Sequence, residues 1–207
     1  RRTLGTAPSK KSPVTLEELR AMVATLPGDA RGMRDRAILL VGFCGAFRRS
    51  ELVALQLQDL EFSDLGVLVT LRRSKTDQEA QGTTKALPNA VDPYMCPVVA
   101  LRQWIDVAGL KQGPLFRTIE RWGRVLPRPM SDRGVARVVQ HTAKSAGLDA
   151  SRFAGHSLRA GFATIAILAG KAEADVMRQT GHRSVTVFRG YVRLADAWKN
   201  NPAKGLL

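Results

Sequence analysis

A chain of 207 residues has room for one large domain or two small ones, and 44% hydrophobic with 24% charged residues is the composition of a packed globular protein. Lysine and arginine number 32 against 18 aspartates and glutamates, a formal net charge of +14 that points to a polyanionic partner, nucleic acid above all. Two widely separated cysteines exclude a disulfide framework, no zinc spacing is present, and the longest apolar run, Ala37 to Phe47, falls short of the roughly 18–20 residues of a membrane span.

Residues 1–13 are polar and basic and read as a linker or arm; no apolar stretch follows to make a secretory signal. Thr15 followed by Leu-Glu-Glu predicts an N-cap with acids in the first turn, opening a helix through Val23. Asp35 to Phe47 predicts a second, strongly apolar helix in which Cys44 is a buried small hydrophobe, and Ser50-Glu51-Leu52 opens a short third one ending near Leu57. The pattern changes at Phe62: Gly66–Leu71 and Thr83–Pro88 predict two antiparallel strands around a polar hairpin tip, SKTDQEAQG. Helices are predicted again over Val98–Val107, from a Ser131 cap to about Ser145, over His156–Ala169 and over Ala172–Gln179, with a last segment over Val185–Ala197. In the His156–Ala169 helix, Phe162, Ile165, Ala166 and Leu168 read as the core face. The predicted class is mixed, mainly α with one small antiparallel β-sheet.

The polar residues within these elements form a series. GAFRRSEL ends an apolar helix with Arg48, three residues before Glu51. RRSKTDQ carries Lys75 at the hairpin tip, HSLR sets His156 and Arg159 on one face of one turn, and TGHRSVTVFRGY places Tyr191 nine positions beyond His182. Each alone has an ordinary explanation. Arg48 and Glu51 make a surface ion pair, Lys75 is a solvated hairpin lysine, His182 interacts with a helix C-terminus, and Tyr191 is a half-buried aromatic.

Taken together, the order Arg48, Lys75, His156-x-x-Arg159, Gly181-His182, Tyr191 resembles the catalytic domain of the tyrosine recombinases, the lambda-integrase family. The resemblance runs from about Ser12 to the last residue. It implies a tyrosine recombinase catalytic-domain fold over residues 14–207, without the N-terminal DNA-gripping domain such enzymes usually carry. It implies Tyr191 as nucleophile, forming a 3′-phosphotyrosine and freeing a 5′-hydroxyl, with double-stranded DNA as substrate and neither metal nor other cofactor. It further implies a homo-oligomer, a tetramer on two duplexes, in which C-terminal segments are exchanged and the tail LADAWKNNPAKGLL docks through Trp198. The expected setting is the cytoplasm of a bacterium, at the nucleoid and away from membranes, in a mobile element or phage.

Those residue types suit the chemistry. The non-bridging oxygens of a phosphodiester gain charge under attack, and arginine offers permanent, planar, bidentate donors to them, so Arg48 and Arg159 can clamp the phosphate. A phenol near pKa 10 needs a proton acceptor, which the resemblance assigns to His156. The 5′-alkoxide is a poor leaving group and needs a general acid, for which Lys75 is the candidate and Lys85, in the same sheet, the fallback. His182 is a further phosphate donor and Glu51 an orienting group. Two other readings remain open at this stage: a type IB topoisomerase-like or telomere-resolving strand transferase, and a non-catalytic DNA-binding relative.

Overall fold

The computed structural model describes residues 11–72, 82–182 and 184. Seven helices and five strands occur among them. Helix α1 (Leu16–Ala24) begins at the Thr15 cap, whose hydroxyl accepts from Glu18 N while Glu18 reaches back to Thr15 N. Helix α2 (Ala30–Cys44) starts five residues before the predicted Asp35, because Asp29 caps it through Gly32 N at 2.9 Å. The polar first turns that hid this start are themselves packed inside: Arg34 and Asp35 are both buried and paired at 2.7 Å. From Ala37 to Val41 every side chain is buried, so α2 is the central rod of the domain.

Helix α3 (Arg49–Ala54) follows after a tight turn and is shorter than predicted. Strands β1 (Leu60–Ser63), β2 (Gly66–Leu71) and β3 (Thr83–Pro88) form an antiparallel sheet in that order. β1 lies beyond the two strands that were predicted. The register sets Val67 opposite Leu87 and Val69 opposite Lys85, all four on the buried face. Helix α4 (Pro97–Val107) packs along α2, and its Trp104, fully buried, donates its indole N–H to Leu115 O at 2.8 Å. A second sheet absent from the prediction, β4 (Arg117–Ile119) with β5 (Val125–Pro129), makes a separate hairpin.

Helix α5 (Asp132–Ser145) starts at the Ser131 cap as predicted and packs on α1 and α3. Helix α6 (Ser157–Leu168) crosses α2, and α7 (Glu173–Thr180) packs on α6. The start of α6 is held down by the segment before α1: Val14 N donates to Ser157 O at 3.0 Å, and a side chain at Gly161 would strike the Val14 carbonyl. Lys11 and Ser12, expected in a linker, are bound to the carbonyls of Ser151 and Arg152. The predicted core face of α6 is displaced. Leu158, Arg159, Ala163, Thr164 and Ile167 are buried, whereas Leu168 is exposed and Phe162, Ile165 and Ala166 are half-buried. Those three line an apolar groove of about 380 Å³ with Phe43 and Val176. Cys44 is half-buried at the end of α2, and burial pushes its thiol up to about 11, so it is inert near neutral pH.

Candidate active site

The geometry follows from three helix ends meeting: the C-terminus of α2, the N-terminus of α6 and the C-terminus of α7. Arg48 is the N-cap residue of α3, and Glu51 lies one turn on with only 4% of its surface exposed. Glu51 Oε2 accepts from Arg48 N at 2.8 Å, and Oε1 accepts from the Arg48 guanidinium. The pair foreseen as a surface contact is therefore an internal brace. Burial works against ionising Glu51, but its bonds to the Arg48 amide and guanidinium, with the charge of Lys85, outweigh it and hold the carboxyl below its usual range.

Arg159 stands in the first turn of α6 and is 4% exposed. Its Nη1 donates to Ala46 O at 2.8 Å, and its Nη2 lies 3.3 Å from His182 Nε2. A guanidinium can only donate, so Nε2 accepts and the ring proton of His182 sits on Nδ1. Nδ1 then donates to Thr180 Oγ1 at 2.7 Å, and the Thr180 hydroxyl donates to Val176 O at 2.8 Å. His182 reaches this place because Gly181 ends α7 in the left-handed region, φ 65°, where glycine carries no Cβ penalty.

His156 occupies the N-cap of α6, exposed to solvent, and its side chain makes no capping hydrogen bond to the first turn. Partial burial and the charges of Arg49, Arg159 and Arg48 push His156 below its ordinary value. Burial, then the charges of Arg159, Arg48 and Lys85, push His182 down to about 4. Both imidazoles are thus neutral bases at pH 7, set in a field of guanidinium charge. Sequence reasoning passed over Arg49, although the doublet RR in GAFRRSEL was there to be read. It also gave Lys85 only a secondary place. Lys75 and Tyr191 lie outside the described residues, as does Trp198. The described candidates Arg48, Glu51, His156, Arg159 and His182 are brought together.

The depressed His182 has a measurable consequence. The unfolded chain binds this proton near pH 6.5 and the folded protein only near 4, so the unfolded state takes up more protons between those values. Stability is therefore expected to fall as pH drops from about 6.5 towards 4 and to level off below that. His156 contributes in the same sense. Denaturant midpoints across this window test it, and His182→Asn should flatten the slope.

With the site described, comparison with known proteins is decisive. Residues 13–197 match the family model described as the phage integrase family. The chain belongs to that family. An integrase/recombinase XerD homolog of Selenomonas ruminantium is 41% identical over 203 residues, covering 97% of this chain and 59% of the relative. Recombinase Cre of Escherichia phage P1 is 24% identical over 179 residues, 80% of this chain and 50% of that protein. The chain thus spans little more than half the length of these phage integrase relatives. The fold is that of solved tyrosine recombinases. XerH recombinase bound to palindromic difH substrate superposes with a TM-score of 0.77 at 15% identity, covering 99% of this chain and 56% of that one. A lambda integrase dimer bound to a COC′ core site gives 0.62 at 18% identity, covering 92% and 50%.

Among the described residues of this phage integrase domain, no group of three or more His, Cys, Asp or Glu side chains could hold a metal ion, and no helix is long and apolar enough to cross a membrane.

Proposed function

We propose that this domain cleaves and rejoins DNA strands at specific sites through a covalent 3′-phosphotyrosine intermediate. One observation carries the reading: two arginines and two neutral histidines from three parts of the chain converge at the N-terminus of α6. That helix end favours an anion through its amides and its dipole.

In the proposed reaction the scissile phosphate rests against α6, with Arg48 and Arg159 donating to its non-bridging oxygens. The Tyr191 phenol attacks phosphorus while its proton passes to His156. The bond from phosphorus to the 5′-oxygen breaks, and Lys75 supplies the proton to the departing oxygen. Arginine charge stabilises the pentacoordinate transition state. His182 releases Arg159 to the phosphate and, with its proton moved to Nε2 and the Thr180 hydroxyl turned to donate to Nδ1, adds its own contact; Glu51 fixes the aim of Arg48. The phosphotyrosine bond retains the energy for rejoining, so no ATP and no metal is called for. The surplus of Lys and Arg supports sequence-blind binding of the duplex.

We further assign the domain to a homo-oligomeric assembly on two duplexes, in the cytoplasm of a bacterium at the nucleoid. Exchange of C-terminal segments between protomers would need an apolar acceptor, and the groove between α6 and α7 offers one. Residues 14–207 would act as the catalytic domain, preceded by a basic arm whose last residues, Lys11 and Ser12, are tied to it.

The test is to incubate the protein with a pool of nicked duplexes and to recover DNA that stays attached under denaturing conditions. Proteolysis and mass spectrometry of the adduct are expected to place the nucleotide on Tyr191, and sequencing the trapped DNA defines the site. An adduct on another residue overturns the nucleophile. DNA binding with no adduct favours the non-catalytic relative, and relaxation of supercoiled plasmid without a preferred site favours the topoisomerase.

A further inference from the structure

The last carbonyls of an α-helix have no partner within it and must find one elsewhere. At the end of α2 three consecutive carbonyls are taken by side chains from three different elements. Cys44 O accepts from Gln179 Nε2 of α7 at 2.9 Å. Gly45 O accepts from Lys85 Nζ of β3 at 2.7 Å. Ala46 O accepts from Arg159 Nη1 of α6 at 2.8 Å. Arg48 follows two residues later. The turn that presents these oxygens is unusual in itself, since Ala46 has φ 47°, the one positive value at a non-glycine residue among those described.

Lys85 is poorly placed to meet DNA. It is 3% exposed, its ammonium lies 4.6 Å from the centroid of the Phe47 ring, and one of its protons is engaged by Gly45 O. Burial pushes it down to about 7, opposed by the charge of Glu51 and reinforced by those of Arg159 and Arg48. The carbonyl end of α2, where the helix dipole is negative, favours the charged form of Lys85 against that cost. Gln179 has a second tie. The same Nε2 lies 3.2 Å from Ala86 O, so one amide joins α7, three residues before His182, to β3.

We propose that Lys85 and Gln179 are positioning residues for strand cleavage. By fastening Gly45 O and Cys44 O they fix the turn from which Arg48, and through Ala46 O also Arg159, take their aim. They also hold β3 and α7 in one register, which fixes the His182 end against the turn after α2. The proposal rests on the strand-cleavage reading above and assigns to Lys85 a role other than general acid.

Single-turnover cleavage of the trapped duplex tests it, with two substrates: the ordinary phosphodiester, and one with sulfur in place of the bridging 5′-oxygen at the scissile position. A thiolate leaves without a general acid, so the second substrate restores cleavage to a general-acid variant and does nothing for a misaligned site. Lys85→Met is expected to cleave about 100-fold more slowly and Gln179→Glu about 10-fold more slowly, as displacements of about 1 Å or less do. The loss should be equal on both substrates, with affinity for the duplex unchanged within about twofold. Lys75→Ala serves as the rescued control.

Recovery of Lys85→Met on the sulfur substrate would make Lys85 the acid and overturn the proposal. Cleavage by Gln179→Glu within about threefold of the parent would overturn it too. Rates are taken well below each variant's melting temperature; if Lys85→Met does not fold, the half-buried Gln179 site decides alone. A parent protein that forms no adduct refutes the cleavage reading itself, whereas a parent that cleaves beside unimpaired variants refutes only the positioning role.

Discussion

Arg159→Ala is expected to remain folded and to cleave DNA at least about 10³-fold more slowly than the parent protein. The guanidinium is anchored on both sides, by Ala46 O at 2.8 Å and by His182 Nε2 at 3.3 Å, so it reaches the phosphate already oriented. Removing one preorganised donor to a developing oxyanion costs about 10²–10³ in rate, and an arginine that meets phosphoryl charge in the transition state about 10³–10⁵. The stability cost is smaller: Ala46 O is left without this donor, worth about 1–3 kcal/mol. Like charge beside Lys85 is relieved at the same time, which offsets part of that. Arg159→Lys should recover little, because a point charge cannot bridge a carbonyl and a phosphate as a planar fork does. The measurement is the rate of covalent adduct formation, with thermal unfolding followed in parallel. Cleavage near the parent rate in Arg159→Ala would sink the assignment of this site.

Glu51→Ala has the second large effect, divided differently between fold and function. This carboxylate is the counter-charge buried within the group formed by Arg48, Lys85 and Arg159. Its loss orphans the Arg48 amide and unties the guanidinium in one step. Breaking a buried pair from one side costs about 3–5 kcal/mol, or roughly 10 °C in melting temperature for a domain of this size. Cleavage should fall about 10²-fold even when measured well below the melting point, because Arg48 loses its aim. Glu51→Gln keeps an oxygen for the amide and should lie between the two in stability. Urea midpoints and adduct rates on the three proteins test the argument, and equal stability of Glu51→Ala and the parent would refute it.

Helix existence was legible wherever a cap stood before an apolar period. Thr15 and Ser131 opened α1 and α5 where their side chains foretold. The start of α2 was missed because Arg34 and Asp35 look like surface residues, whereas folding pairs and buries them. β4 and β5 escaped because they are three and five residues long, with arginines and prolines that erase the alternation. On α6 the most apolar stripe faces a groove, while the face buried in the domain carries Arg159 and Thr164. Hydrophobicity alone would not rank those two as interior.

From residue order come the family and most of the candidate site residues. Arg48, His156, Arg159 and His182 could be named as candidates without coordinates, because the phosphoryl transfer proposed for this domain demands such donors and bases. Their mutual arrangement could not be read there. That Glu51 is an internal brace, that Lys85 is buried on the inner face of β3, and that Gln179 spans two elements all depend on contacts over 3 to 135 residues of chain separation. Strand parity places Lys85 beside Leu87 on the inner face, but only the packing of the sheet against the end of α2 makes that face the underside of the candidate site. A local pattern records what each residue can do. Which carbonyl, ring or charge it meets is a property of the closed chain, because partners distant in sequence become neighbours only when the core has formed.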